Sequence, residues 1–335
     1  MNATNREIIL LGPMKPLLVK GLEAIGTLHK SAEAKDLQSF YASHGDVRAI
    51  ACAATSEYIG DAFIRRFPKL QIISSFGVGY DHIDAKAAAA HGVTVTNTPE
   101  VLTEEVADTA LALLLCTVRE FPQAESYLRA GKWLQKAYPL TKGTLRNRTV
   151  GIVGMGAIGQ AIARRLDGFG VPVVYHARQQ RPQLRYRYYP KLIDMARDVD
   201  TLMVIVPGGA ATANMINAEV LNALGPNGIL INMARGSVVD EPALIKTLAE
   251  KRIMAAGLDV FAKEPEVPQE LIAMDNVVLF PHLGSASVHT RERMDQLVVD
   301  NIAAWAAAKP PLTPVAETPF KSWNNRVWRT RSGRR

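Results

Sequence analysis

Three polar side chains stand where short apolar runs give way to loops. Arg235 lies in "INMARGSVVDEPAL", Glu264 in "AGLDVFAKEPEVP" and His282 in "LFPHLGSAS", with Asp259 beside them in sequence. A guanidinium forks onto a carboxylate. An imidazole exchanges protons near neutral pH, and a neighbouring carboxylate can orient it. Each residue also has an ordinary reading: a surface ion-pair partner, a loop acid ahead of Pro265, a loop histidine after Pro281. What raises them above that reading is their shared position, because parallel sheets place ligands at the loops beyond the carboxyl ends of their strands.

A second constellation lies upstream. Gly154, Gly156 and Gly159 form G-x-G-x-x-G between the apolar run "TVGIVG" and the helical stretch "QAIARRLDGFG". In that context the first glycine makes a tight turn, the second lets a pyrophosphate approach the backbone, and the third packs helix on strand. The free N–H groups at the helix start favour phosphate. An acid is expected about 20 residues on to hold an adenosine ribose. Here "VVYHARQQRP" carries His176, Arg178, Gln179, Gln180 and Arg181 instead, and Asp167 sits too early, in the preceding helix. Guanidinium groups suit a 2′-phosphate, which points to NADPH as the preferred cofactor, with NADH possible if the arginines are only surface residues.

These loops need a scaffold of alternating strands and helices. "EIILLG", "VRAIACA", "LQIISSF" and "VTVTN" read as buried strands separated by helical segments. A long amphipathic helix spans Thr103 to Phe121, with Thr103 as its cap and Glu104 and Glu105 in its first turn. A looser stretch covers Pro122 to Arg148, and six further strand-like runs begin at Thr149. The last helix runs from Val288 to Ala308 and stops at Pro310 and Pro311. The fold class is α/β: two Rossmann-like or flavodoxin-like domains, each a parallel sheet flanked by helices, with a cleft between them. Residues 1–98 with 288–335 make a discontinuous substrate-binding domain, and 99–287 an inserted dinucleotide-binding domain.

The motifs "SSFGVGYDHID", "NTPEVLTEEVAD", "GIVGMGAIGQ", "NMARGSVVDE", "AAGLDVFAKEP" and "PHLGSAS" occur in that order. With them the chain resembles the D-isomer-specific 2-hydroxyacid dehydrogenase family, and within it "PGGAATANMI" (Pro207 to Ile216) and the His-Ala-Arg segment look most similar to glyoxylate/hydroxypyruvate reductases. Hydroxyphenylpyruvate reductases share the appearance. The resemblance implies that Arg235 grips a substrate carboxylate and polarises the keto oxygen. It implies that His282 is the general acid, and that Glu264 fixes the imidazole tautomer and keeps the ring protonated. It assigns Asp259 to the nicotinamide amide, Val78 and Gly79 to the substrate carboxylate as backbone donors, and Ser285 to the substrate side of the catalytic loop. Around the dinucleotide it adds Met155, Ala157, Ile158, Val206, Pro207, Thr212, Met233, Ala234 and Gly284, with His282 closing the nicotinamide end. It implies a homodimer held partly by the segment "AGKWLQKAYPLTKG", from which Tyr138 or Leu140 reaches a neighbour's site. His82, beside the pocket segment, reads as structural. The implied reaction is reduction of a small 2-keto acid, glyoxylate or hydroxypyruvate, to a D-2-hydroxy acid. The alternatives are a same-fold enzyme for hydroxyphenylpyruvate, 3-phosphoglycerate or phosphite, and a dinucleotide-sensing corepressor.

Bulk properties narrow the class. The chain has 335 residues, 48% of them hydrophobic, so it can bury two cores. Cys52 and Cys116 are too few for a disulfide framework and suit a reducing compartment. No signal segment or membrane span is apparent, so the expected location is the cytoplasm. Histidine spacing predicts no metal. The net charge of +7 owes much to five arginines in "NNRVWRTRSGRR", yet no nucleic-acid motif accompanies them, so neither nucleic acid nor membrane is an expected partner.

Overall fold

The computed structural model describes residues 6–13, 15–53 and 57–323; the arginine-bearing tail lies outside the described residues. The chain folds as two compact units, one running to Pro99 and resuming at Arg291, the other spanning Glu100–Thr290.

In the first unit, β1 (Glu7–Leu11), β2 (Thr27–Lys30), β3 (Ala49–Cys52), β4 (Ile72–Ser75) and β5 (Thr94–Thr96) form one sheet in the order β2-β1-β3-β4-β5. All its ladders are parallel. This is the flavodoxin-like order. The strands β3, β4 and β5 are buried along their whole length because helices cover both faces. The helices are α1 (Pro16–Glu23), α2 (Leu37–Ser43), α3 (Asp61–Ile64) and α4 (Ala85–His91). Asp36 and Asp84 cap α2 and α4 by accepting backbone N–H bonds of the first turn. The edge strand β2, "TLHK", was not among the apolar runs. It is only partly buried, so its sequence need not be apolar, unlike that of the other edge strand, β5.

In the second unit, β6 (Val150–Val153), β7 (Val173–His176), β8 (Arg187–Tyr189), β9 (Thr201–Val204), β10 (Ile229–Asn232), β11 (Ala255–Leu258) and β12 (Val277–Leu279) form an all-parallel sheet in the order β12-β11-β10-β9-β6-β7-β8. Chain order reverses between β6 and β9, which opens the ligand crevice of a dinucleotide-binding fold above that pair. The expected six strands are seven. The extra one, β8, is three residues of "RYY" at the sheet edge.

The long helix also departs from expectation. It is two helices, α5 (Thr103–Arg119) and α6 (Phe121–Arg129), joined by Glu120 in the left-handed conformation at φ 55°. The stretch after Phe121 is therefore helical at its start rather than loose. Thr103 is the first helical residue and Leu102 occupies the cap position, where no side chain bonds the first turn. Glu104 and Glu105 do lie in that turn and complement the helix dipole. The remaining helices are α7 (Ala157–Gly168), α8 (Leu192–Asp198), α9 (Ala218–Leu224), α10 (Glu241–Ala249), α11 (Gln269–Ile272) and α12 (Val288–Ala306). Most of α12 belongs to the first unit, where the fully buried Trp305 donates its indole N–H to Gln71 at 2.8 Å.

Candidate active site

The glycine turn follows β6, whose four residues are all buried. Gly154 has φ 105°, and a Cβ there would stand 2.5 Å from the Ile205 carbonyl oxygen. A Cβ on Gly159 would fall 2.1 Å from the Gly154 carbonyl oxygen. These two glycines are required by the fold itself. Gly156 is different: a Cβ there meets nothing within 4 Å, so its bareness leaves open space at the start of α7. Gly156 caps α7 without a side chain, which leaves the first N–H groups of the helix to an external acceptor. A hollow of about 530 Å³ opens there, lined by Gly156, Ala157, Gln160, Arg164 and Arg181 together with Glu100, Thr103 and Glu104. Arg164 pairs with Glu104 at 3.0 Å, so Arg181 is the lining cation with no ion-pair partner drawn among the described residues. A phosphate-bearing group fits this donor set: bare helix N–H groups, a missing side chain and a guanidinium.

The β7 end presents the expected cations. Arg178 and Arg181 are exposed on the loop after His176. His176 bonds the Tyr189 carbonyl through Nδ1 at 2.9 Å, so one ring nitrogen is engaged within the protein. Asp167 bonds Tyr186 at 2.6 Å and Arg185 at 2.5 Å, as its place in α7 dictates.

At the strand ends β11 and β12, the residues expected to do acid–base chemistry come together. His282 Nδ1 lies 2.7 Å from Glu264 Oε2, and Phe261 N–H donates to the other Glu264 oxygen at 3.0 Å. Since the carboxylate only accepts, Nδ1 carries the proton and Nε2 is directed away from Glu264. Burial pushes the Glu264 carboxyl upward, but the bonds from His282 and Phe261 and the Arg235 charge outweigh it and hold the group below its ordinary range. Arg235 is half-buried at the end of the β10 loop and donates to the Ala234 carbonyl at 2.7 Å. Gly236 presses so closely on Phe261 that a Cβ would stand 1.9 Å from its carbonyl carbon, which ties the Arg235 loop to the Glu264 loop.

Asp259 is 2% exposed, and its two oxygens accept Leu283 N–H at 2.5 Å and Gly284 N–H at 2.9 Å. Its own carbonyl accepts His282 N–H at 2.9 Å. Three bonds from Asp259 therefore hold the loop in which His282 adopts the left-handed conformation at φ 51°. Burial raises the Asp259 carboxyl above its ordinary range despite those bonds.

The other expected cofactor contacts follow β6, β9, β10 and β12 in sequence. Met155, Met233 and Ala234 are buried, and Ile158 is half-buried. Met233 N–H donates to the Val204 carbonyl and Ala234 N–H to the Asn232 side chain, so both N–H groups are engaged within the protein. Thr212 donates its hydroxyl to the Pro207 carbonyl at 2.7 Å, closing the loop after Val206. Gly284 is buried and Ser285 half-buried.

In the first unit, Gly77 at φ 119° makes the turn that carries Val78 and Gly79. Asn97 and Thr98 brace it through Val78 O and Gly77 N. The N–H groups of Val78 and Gly79 have no acceptor among the described residues. His82 bonds Cys52 Sγ at 3.4 Å. Tyr138 is tied to Glu120 at 3.3 Å, whereas Leu140 is 97% exposed. Among the described residues no cluster of His, Cys, Asp and Glu could hold a metal, and no helix is long and apolar enough to cross a membrane.

The sequence reading missed Gln160, Arg164 and the Glu100–Glu104 wall of the hollow. Gln160 and Arg164 carry one signal, helical spacing from Gly156, since they fall one and two turns along α7; Glu100, Thr103 and Glu104 carry none relative to the glycine turn.

Residues 111–284 match the D-isomer specific 2-hydroxyacid dehydrogenase, NAD binding domain family. The chain is 41% identical to glyoxylate/hydroxypyruvate reductase A of Arabidopsis thaliana over 313 residues, 92% of this chain and 98% of that one. It is also 41% identical to hydroxyphenylpyruvate reductase of Plectranthus scutellarioides over 310 residues, with the same coverage. In three dimensions it resembles the NADPH-dependent glyoxylate/hydroxypyruvate reductase of Sinorhizobium meliloti, crystallised with NADP and malonate. The TM-score is 0.89 and the identity 48%, covering 96% of this chain and 100% of that one.

Proposed function

Given that the chain belongs to the D-isomer-specific 2-hydroxyacid dehydrogenase family, we propose that it reduces small 2-keto acids, glyoxylate and hydroxypyruvate foremost, to D-2-hydroxy acids with NADPH. The observation that carries this reading is the His282–Glu264 pair at 2.7 Å, built on the same sheet as the bare glycine turn.

The Gly154–Gly159 turn, the start of α7, Arg178 and Arg181 hold the cofactor, and when bound its reduced nicotinamide supplies a hydride. Val206, Pro207, Thr212, Met233, Ala234 and Gly284 complete the contact surface. Arg235 binds the substrate carboxylate and draws electron density toward the keto oxygen. Val78 and Gly79 offer backbone N–H groups to a carboxylate. His282 gives the proton on Nε2 to the keto oxygen as it becomes a hydroxyl, and Glu264 stabilises the imidazolium beforehand through Nδ1. In the reverse direction His282 takes that proton back. Asp259 holds the His282 loop, and this geometry supports positioning as its first role.

The chain is proposed to act as a homodimer in the cytoplasm. Phe121, Leu128, Trp133, Leu134 and Leu140, all in or just after α6, are 48–97% exposed, an apolar set suited to burial against a second copy. Both cysteines are free, which fits a reducing compartment.

Oxidation of NADPH followed with glyoxylate, hydroxypyruvate and hydroxyphenylpyruvate tests the reading. Turnover of one of the two smaller acids with NADPH well ahead of NADH is expected; no turnover of any 2-keto acid overturns it. Preference for hydroxyphenylpyruvate would favour the second reading, which the similarity to the Plectranthus scutellarioides reductase supports.

A further inference from the structure

We propose that Tyr175 and Tyr188 are positioning residues for cofactor choice: their hydroxyls fasten the two ends of the loop that carries Arg178 and Arg181. This rests on the NADPH reading above. Tyr175 is 0% exposed within β7, yet its hydroxyl reaches the far end of the loop. It accepts the Arg181 N–H at 2.8 Å and faces the Arg181 carbonyl at 3.5 Å. Tyr188, opposite Tyr175 in the β7–β8 ladder, donates to the Ala177 carbonyl at 3.1 Å. The two rings lie 5.4 Å apart. One tyrosine thus holds the residue before Arg178, and the other holds the backbone of Arg181.

The arginines themselves are exposed, and long side chains rooted in an untethered loop lose much of their binding energy to ordering. Fastening the backbone at both ends reduces that cost. It also fixes where the Arg181 side chain begins relative to the hollow at Gly156, which Arg181 lines. A ligand with a 2′-phosphate gains from this arrangement, whereas a ligand with a free 2′-hydroxyl gains little. Phenylalanine at either position keeps the ring packing and removes only the hydroxyl. One hydrogen bond is lost and the β7–β8 ladder remains, so the fold should persist.

The test compares the wild-type protein with Tyr175→Phe and Tyr188→Phe, using kcat and KM for NADPH and NADH and inhibition by adenosine 2′,5′-bisphosphate against AMP. Each variant should raise the NADPH KM about fivefold to tenfold, the worth of one hydrogen bond. kcat and the NADH KM should stay within about twofold, with a thermal midpoint lowered by no more than a few degrees, and the bisphosphate should weaken while AMP does not. A variant pair that keeps the wild-type preference for NADPH and for the bisphosphate overturns the positioning role alone. Equal losses for both cofactors also overturn it, because they signal general damage to the sheet edge. A wild-type protein that does not favour NADPH overturns the cofactor reading, and this inference with it.

Discussion

The carboxylate of Asp259 and the backbone N–H of Gly284 meet at 2.9 Å inside the second unit, just beyond the histidine that the loop presents. With the companion bond to Leu283, this contact makes a buried acid the anchor of an exposed imidazole.

Asp259→Asn should therefore disturb catalysis through the loop. An amide NH2 must face one of the two N–H donors, leaving a buried donor unmet at a cost of roughly 1–3 kcal/mol. Thermal unfolding should show the loss, and kcat should fall with it. A variant of unchanged stability and turnover would refute the anchor.

Glu264→Gln removes the charge that faces His282 Nδ1. A fall in kcat of roughly 10- to 100-fold with a smaller change in keto-acid KM is expected, since the loss touches proton transfer more than binding. Steady-state kinetics with hydroxypyruvate decide it.

The same carboxylate sets a pH dependence. Its folded value lies below its unfolded one, so its contribution to stability is fully present above the unfolded value of about 4.3. That contribution is lost as pH falls through the lower folded value. Melting curves taken from about pH 6 down to about pH 3 should show a smaller acid-side loss in Glu264→Gln than in the wild type. The effect is modest because the side chain is 34% exposed.

Gly156 and Gly159 separate folding from binding. Gly159→Ala drives a Cβ into the Gly154 carbonyl and should cost about 1–3 kcal/mol by overpacking. Gly156→Ala meets only open space, so its melting temperature should hold while nucleotide affinity drops. Calorimetry and a nucleotide titration on both variants separate the two roles.

Arg235→Lys keeps the charge but loses the planar fork. The keto-acid KM should rise by roughly 10-fold or more, with NADPH KM little changed. An unchanged KM would remove Arg235 from substrate binding.

Much of this was legible in the chain. Fully buried parallel strands are short apolar runs whatever surrounds them, so "GILINM" and "TLMVIV" announced β10 and β9. The G-x-G-x-x-G turn announced itself because two of its glycines are demanded by backbone crowding. The edge strands β2 and β8 escaped because their sequences, TLHK and RYY, are polar and only partly buried, whereas the edge strands β5 and β12 are apolar runs. The break between α5 and α6 escaped because Glu120 gives no warning of a left-handed turn, as glycine would. The tyrosine brackets escaped for a different reason: they join residues 175 to 181 and 188 to 177 through hydroxyls, and no periodicity reports a hydroxyl's aim.

The outermost ribbon β8 bears on assembly as well. Arg187, with a 69% exposed side chain 3.9 Å from Asp198, stands on the outer border of the sheet, whose ladder ends there. Three residues give little length for pairing with another strand. The short, cation-bearing border thus disfavours growth of the sheet by edge-to-edge pairing.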